Sequence, residues 1–310
     1  VEMPRAYTAG DISLKPAGRS CVLASMDLLT TLAALVTALA TALTAPLAGP
    51  VEHRIEQTFT VAPGSLVAID LRGGSIDVRP GEGRTVRIVL IQRVRDASGR
   101  EAERVRADAR VEITQNGDVV RLFARGPSGL QRFWQPRLEM RAEAWVPPDV
   151  GLALDTAGGA VTVTGARTAA IEASTAGGRI RIDGSGGPVR ASTSGGAIQV
   201  GVAGGSLHAD TSGGSITIGR VDAAARDIRL RTSGGSIRVG IDPRARLAID
   251  AATSGGRVTV EGLPLVVTRH TRSRVVARLN DGGAPLEAST SGGSIRIAAV
   301  GSTTRYAATR

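Results

Sequence analysis

Cysteine, lysine and aromatic side chains are all scarce in this 310-residue chain, and each scarcity closes off a class of function. Cys21 is the sole cysteine, so neither an intramolecular disulfide nor a thiolate metal cluster can form. The apolar stretch follows Cys21 instead of leading it, which argues against lipidation there. Aromatics make up 2% of residues, leaving few platforms on which bases could stack. Lys15 is the only lysine, so the formal charge of +10 is almost wholly arginine, interspersed with Asp and Glu rather than clustered. The basic balance therefore does not point to nucleic acid. Weak attraction to anionic polymers or membrane surfaces fits it better.

Chemical motifs are missing as well. The chain has no HExxH, no GxSxG and no phosphate-cradling GxxxxGK. His53 and His270 have no partner at metal-ligand spacing. Calcium-binding β-rolls need an aspartate in each glycine-rich repeat, and here Ala, Ser or Arg stands in that place. The reading is of a protein with no catalytic residues, no metal and no cofactor. His208 beside Asp210 is the nearest thing to a catalytic pair, and both fall in ordinary outward repeat slots.

What the chain does have is a repeat. The octapeptides TAGGAVTV at 156, TAGGRIRI at 175, TSGGAIQV at 193, TSGGSITI at 211, TSGGSIRV at 232, TSGGRVTV at 253 and TSGGSIRI at 290 are near copies. Their first glycines fall at 158, 177, 195, 213, 234, 255 and 292, in steps of 18 to 21 residues until the last, which is 37. A double step predicts a degenerate copy inside it. A period near 20 is the mark of units that stack to bury a shared core.

In each octapeptide the sixth and eighth residues are apolar and the seventh polar, as in Ile216-Thr217-Ile218. That alternation, with β-branched residues inward, predicts a short half-buried strand after each glycine pair. A second alternating run precedes each pair, such as LHADT at 207 and IRLRT at 228. Two strands and two turns in about 20 residues predict one circuit of a parallel β-solenoid, with each strand paired to its copy one rung away. At ~4.8 Å per rung, about eight rungs span roughly 40 Å. The Gly-Gly corner meets either a need for positive φ or a close approach of successive backbones. The threonine before it can form a ladder along the axis.

The organisation that follows is a 1–50 N-terminal region, a strand-rich unit over 51–150, the solenoid over 151–300 and a 301–310 tail. Residues 28–49 carry no charge and are about as long as a membrane-spanning helix requires. Arg5, Lys15 and Arg19 precede them, so the segment reads as an export signal or an uncleaved apolar helical anchor, with the remainder exported. Between 51 and 148, turn signals at Pro63-Gly64 and Pro80-Gly81 separate alternating runs, a short helix is expected over 100–109, and Asn116-Gly117 should turn a hairpin. RGGSIDV at 72–78 already resembles a rung, so this unit reads as the cap of the coil.

Taken in order, GGSIDV at 73–78, WVPPDVGLALDTAGGAVTV at 145–163, the TSGGSI rungs and LNDGGAPLEASTSGGSIRI at 279–297 resemble the bacterial putative adhesin family of β-strand-repeat proteins, relatives of the head GIN domain proteins. The resemblance covers roughly residues 55–300. It implies an exported or envelope-associated right-handed β-helix and carries no catalytic motif.

The candidate site is therefore a surface. The outward positions of the post-glycine strands form a polar stripe, Arg181, Gln199, Thr217, Arg238, Thr259 and Arg296, in which Thr and Gln are expected to separate the arginines. Its expected partner is a polymer or protein of the cell envelope or cell exterior, with membrane association through 28–49. Phe133 and Trp134 are expected to pack against the end of the coil, the alternative being that they add to such a surface. Self-association by end-to-end stacking, as in bactofilin-type coils, is the first alternative. An envelope-stress role beside a sigma or anti-sigma factor is the second.

Overall fold

A computed structural model of the chain describes residues 51–95, 99–127 and 138–300. Residues 28–49, Cys21, Phe133, Trp134 and residues 301–310, on which several of the expectations fall, lie outside the described residues. Among the described residues no helix is long and apolar enough to cross a membrane.

The repeat region is built of strand pairs, one strand on each side of every Thr-x-Gly-Gly corner. These are β8 (Gly151–Thr156) with β9 (Val161–Arg167), β10 (Ile171–Thr175) with β11 (Ile180–Ser185), β12 (Val189–Thr193) with β13 (Ile198–Ala203), β14 (Leu207–Thr211) with β15 (Ile216–Val221), and β16 (Ile228–Thr232) with β17 (Ile237–Ile241). The pre-glycine strands pair in parallel, aligning Leu152, Ile171, Val189, Leu207 and Ile228. The post-glycine strands do the same in a second sheet, aligning Val161, Ile180, Ile198, Ile216 and Ile237. All ten of these side chains are buried between the sheets, and each contributes about 1.5–3 kcal/mol of apolar burial.

The corner explains the sequence. Thr211 Oγ1 donates to the Gly196 carbonyl of the neighbouring rung at 2.9 Å and accepts from its own Gly214 N–H at 3.2 Å. Thr175, Thr193, Thr232, Thr253 and Thr290 repeat both bonds, so a buried hydroxyl satisfies two backbone groups at each of these corners, while Thr156 makes only the bond to the Gly74 carbonyl. The second glycine of each pair is required by space: a methyl on Gly214 would overlap the Gly196 carbonyl oxygen. Close approach, not positive φ, is the reason for glycine there. Gly73 and Gly74 are the exception, at φ 128° and 123°.

At the N-terminal end lie β1 (Val51–Thr60), β2 (Leu66–Leu71), β3 (Ser75–Pro80), β4 (Thr85–Val94), α1 (Gly99–Ala107), β5 (Arg110–Asn116), β6 (Val119–Arg125) and β7 (Leu138–Val146). The β2/β3 pair adds in parallel to β8/β9. The later β6/β7 pair adds to the far side of β2/β3, again in parallel. Antiparallel strands then finish both sheets, β5 on β6 through a turn at Gly117, and β4 and then β1 on β7. The helix packs Ala102 and Val105 against Val94.

At the other end are β18 (Leu247–Thr253), β19 (Val258–Glu261), β20 (Leu265–His270), β21 (Arg274–Leu279), β22 (Ala284–Thr290) and β23 (Ile295–Ala299). Here the spatial order departs from the chain order. The final octapeptide pair β22/β23 inserts between β16/β17 and β18/β19. The 37-residue step holds no degenerate rung; it forms an antiparallel hairpin, β20 on β21, that adds to the edge of β18. Residues 264–279 lack a Gly-Gly corner, so the chain reverses at Thr271, whose N–H donates to the Arg274 carbonyl at 2.8 Å.

The result is all-β with two open, parallel-rich sheets of 11 and 12 strands that share one apolar core. Two polar devices hold the corners. Arg167 is 2% exposed and donates to the carbonyls of Val146, Pro147 and Val150 at 3.2, 2.7 and 2.7 Å. Burial lowers its pKa to about 10, with Asp149 opposing. Asp242 is held down to about 2 by hydrogen bonds from the guanidinium and backbone N–H of Arg244. Asn280, in the left-handed region at φ 48°, donates to the carbonyls of Pro243 and Ala245 and so ties the start of the last rung to that same turn.

Candidate interaction surface

Strand alternation decides which side chains leave the core, and cross-strand register decides which of them meet. On the outer face of the post-glycine sheet the paired positions run Glu143, Asp77, Thr162, Arg181, Gln199, Thr217, Arg238, Arg296, Thr259. All six stripe residues expected from the sequence fall in this one row. Their order differs in one respect: Thr259 does not separate Arg238 from Arg296. Because β23 lies between β17 and β19, the two arginines are direct neighbours. Arg296 is balanced by Glu261 at 2.7 Å and Arg181 by Asp183 at 3.4 Å, while Arg238 has no carboxylate at ion-pair distance among the described residues.

Toward the N-terminal end the row runs into a mixed-charge patch. Arg141 bridges Asp77 at 2.5 Å and Glu143 at 3.3 Å. Trp145, on β7, is sandwiched by guanidinium groups, Arg79 at 5.3 Å and Arg87 at 4.9 Å from its ring centroid. Arg87 in turn hydrogen-bonds Glu56, which lowers the Glu56 pKa and raises that of Arg87. Sequence reasoning missed Trp145 as a surface residue. The signal was present: Met140, Ala142, Ala144 and Val146 are buried, and the alternation puts Trp145 on the opposite face.

The pre-glycine sheet carries a shallow groove of about 320 Å³ across its outer face, lined by Leu66, Ala153, Glu172, Arg190 and His208. His208 does not pair with Asp210. Its Nε2 lies 3.0 Å from Asp227 Oδ2, and Arg229 approaches the other oxygen of that carboxylate at 3.3 Å. Arg229 is also within 4.0 Å of Glu287, so the outer face reads as a chain of alternating charges. Asp210 sits exposed one pleat further along β14. His53 and His270 are exposed and lie at the N- and C-terminal ends of the sheets. Among the described residues no group of three His, Cys, Asp or Glu side chains could hold a metal ion.

No family model matches the chain, and no curated protein does. Solved structures similar to it include a putative cell adhesion protein from Clostridium sporogenes, at 12% identity over 80% of this chain and 100% of that one, with a TM-score of 0.29. A putative adhesin from Bacteroides fragilis is 10% identical over 81% of this chain and 99% of that one, TM-score 0.39. A putative adhesin from Parabacteroides distasonis is 11% identical over 80% and 97%, TM-score 0.29. At such scores the function has to be argued from the chain's own geometry.

Proposed function

We propose that this chain is a non-enzymatic, exported β-solenoid that serves as an adhesion or interaction scaffold at the cell surface or in the periplasm. The observation that carries the reading is the outer row of the post-glycine sheet, in which one residue per rung, from Thr162 to Thr259, forms an unbroken polar and basic line across paired strands. A polymer laid along that line meets repeated weak contacts, and multivalency turns weak contacts into useful retention. Arg238 supplies a cation with no carboxylate at ion-pair distance among the described residues, and Trp145 with its two guanidinium neighbours supplies an amphipathic face at the other end of the line. The charge-free 28–49 segment supports export.

The test is retention of the purified full chain on immobilised envelope polysaccharide and peptidoglycan of its host. Arg181→Glu with Arg238→Glu should weaken retention by about tenfold or more with the thermal midpoint unchanged. Unchanged retention, or shortening of the polymer by the wild-type chain, overturns the reading. Protease accessibility in intact cells against spheroplasts tests the location.

A further inference from the structure

The β20–β21 hairpin at the C-terminal end of the pre-glycine sheet is unlike the rest of the molecule. Residues 264–279, PLVVTRHTRSRVVARL, hold four arginines and one histidine and no acidic residue. Of the four, Arg274 is matched, its guanidinium meeting Asp250 at 3.0 and 2.6 Å. Arg269, Arg272 and Arg278 are exposed and have no carboxylate at ion-pair distance among the described residues. Arg257 joins them, because Val258 N–H donates to the Arg272 carbonyl and brings that corner beside the hairpin turn.

The same hairpin carries the most exposed large apolar side chains among the described residues, Val266 at 70% and Val267 at 49%. They are consecutive, so they leave β20 on opposite faces. On one face Val266 stands opposite Arg278. On the other Val267, opposite the buried Ala277, points where the core has ended and nothing covers it. Exposed valines gain from leaving water, and arginines without a carboxylate gain from an anionic partner. At a bilayer interface each has a partner, acyl chains for the first and headgroup phosphates for the second.

We propose that this hairpin docks the C-terminal end of the sheets onto an anionic phospholipid surface, with Val266 and Val267 entering the interface and Arg269, Arg272 and Arg278 contacting headgroup phosphates. The proposal goes beyond the scaffold reading and does not rest on it. A second copy of the chain is a poorer occupant. The carboxylates on the edge strands at the opposite end, β1 and β5, are already matched, Glu52 by Arg93 at 2.8 Å, Glu56 by Arg87 at 2.5 Å and Glu112 by Arg110 at 2.6 Å. The register shift between Val267 and Arg269 also breaks the regular edge that strand-to-strand docking needs. A soluble polyanion would use the arginines and leave both valines in water. For nucleic acid the segment offers no Phe, Tyr or Trp on which a base could stack.

The test places an environment-sensitive fluorophore on the exposed edge through Thr268→Cys in a Cys21→Ser full chain, with Thr217→Cys as the control position. The probe reads the hairpin itself, so binding through 28–49 does not mimic the signal. With phosphatidylcholine vesicles carrying about one-third phosphatidylglycerol, the 268 probe should shift to the blue and be quenched by brominated acyl chains, and the 217 probe should not. About 0.5 M salt should abolish the shift. Arg269→Gln, Arg272→Gln and Arg278→Gln together should weaken the partition by about a hundredfold, at about fivefold per arginine, with an unchanged thermal midpoint. Val266→Ser with Val267→Ser should leave charge-driven contact but remove quenching by the acyl chains. The proposal is overturned if the 268 probe is silent on these vesicles or responds equally to phosphatidylcholine alone. It is also overturned if dextran sulfate without lipid gives the same shift, or if the shift follows protein concentration without lipid, which would assign the hairpin to a second copy.

Discussion

The middle of the stack and its two ends are built on different principles. From β8 to β17 the spatial order of strands is the chain order, and every corner is the same Thr-x-Gly-Gly device. At both ends the chain folds back, so that β2/β3 lies inside β6/β7 and β22/β23 lies inside β18/β19. The middle is held by repetition. The ends are held by single residues without counterparts, Arg167 at one and Asp242, Arg244 and Asn280 at the other. Three of the four outermost strands, β1, β5 and β20, lie outside the repeat, and the fourth, β19, is a repeat strand of only four residues, which is how a stack of interchangeable rungs is made finite.

The largest effect should come from breaking the middle. Gly214→Ala puts a methyl into the Gly196 carbonyl and should cost about 3 kcal/mol or more in urea unfolding. Gly213→Ala, whose added methyl would lie 3.7 Å from the nearest backbone oxygen, should cost no more than about 1 kcal/mol. Equal losses at the two positions would mean that the corners do not stack as described.

Next comes the N-terminal junction. Arg167→Met removes the donor of three buried carbonyls and should lower stability by about 2–4 kcal/mol in the same assay. A loss under about 1 kcal/mol would make the buried arginine dispensable. Thr211→Val keeps the shape of one ladder residue but deprives the Gly196 carbonyl and the Gly214 N–H of their shared partner, for about 1–3 kcal/mol. Thr211→Ser should recover most of that.

The smallest effect belongs to the C-terminal turn. The Asp242 pKa is depressed in the folded state, so its contribution is fully present above 3.8 and is lost as pH falls toward about 2. The Arg244 side chain is 80% exposed, which screens the pair, so the contribution is about 1 kcal/mol. Asp242→Asn should flatten the pH dependence of the thermal midpoint across that window, and an unchanged slope would place the acid sensitivity elsewhere.

Much of the architecture was legible in the residues. Alternation around each Gly-Gly pair marks the strands, their buried faces and the six outward stripe positions, because burial of every second β-branched side chain is a local property. The order of the last rungs was not legible. Ile295 fits against Ile237 or Val258 equally well, so the octapeptides carry no address. The address lies in LNDGG, where Asn280 reaches the Pro243 and Ala245 carbonyls and Gly283, at φ 157°, fits under the Arg246 carbonyl. The His208 contact was hidden for a related reason. Its partner Asp227 belongs to the corner before β16 and not to the repeat slot two residues away. The hairpin over 265–279 was hidden because it stretches the last glycine step to 37 residues, about two rungs, and so imitates the period it interrupts.

The account depends on the strand order that makes the stripe continuous, and short-range cross-linking tests it most directly. In a Cys21→Ser chain, Arg238→Cys with Arg296→Cys should be joined by dibromobimane, as should Arg296→Cys with Thr259→Cys, since each pair sits on adjacent strands ~4.8 Å apart. Arg238→Cys with Thr259→Cys, two strands apart, should remain unlinked. Efficient linkage of 238 to 259 with none to 296 would contradict the inserted last rung and the surface built on it.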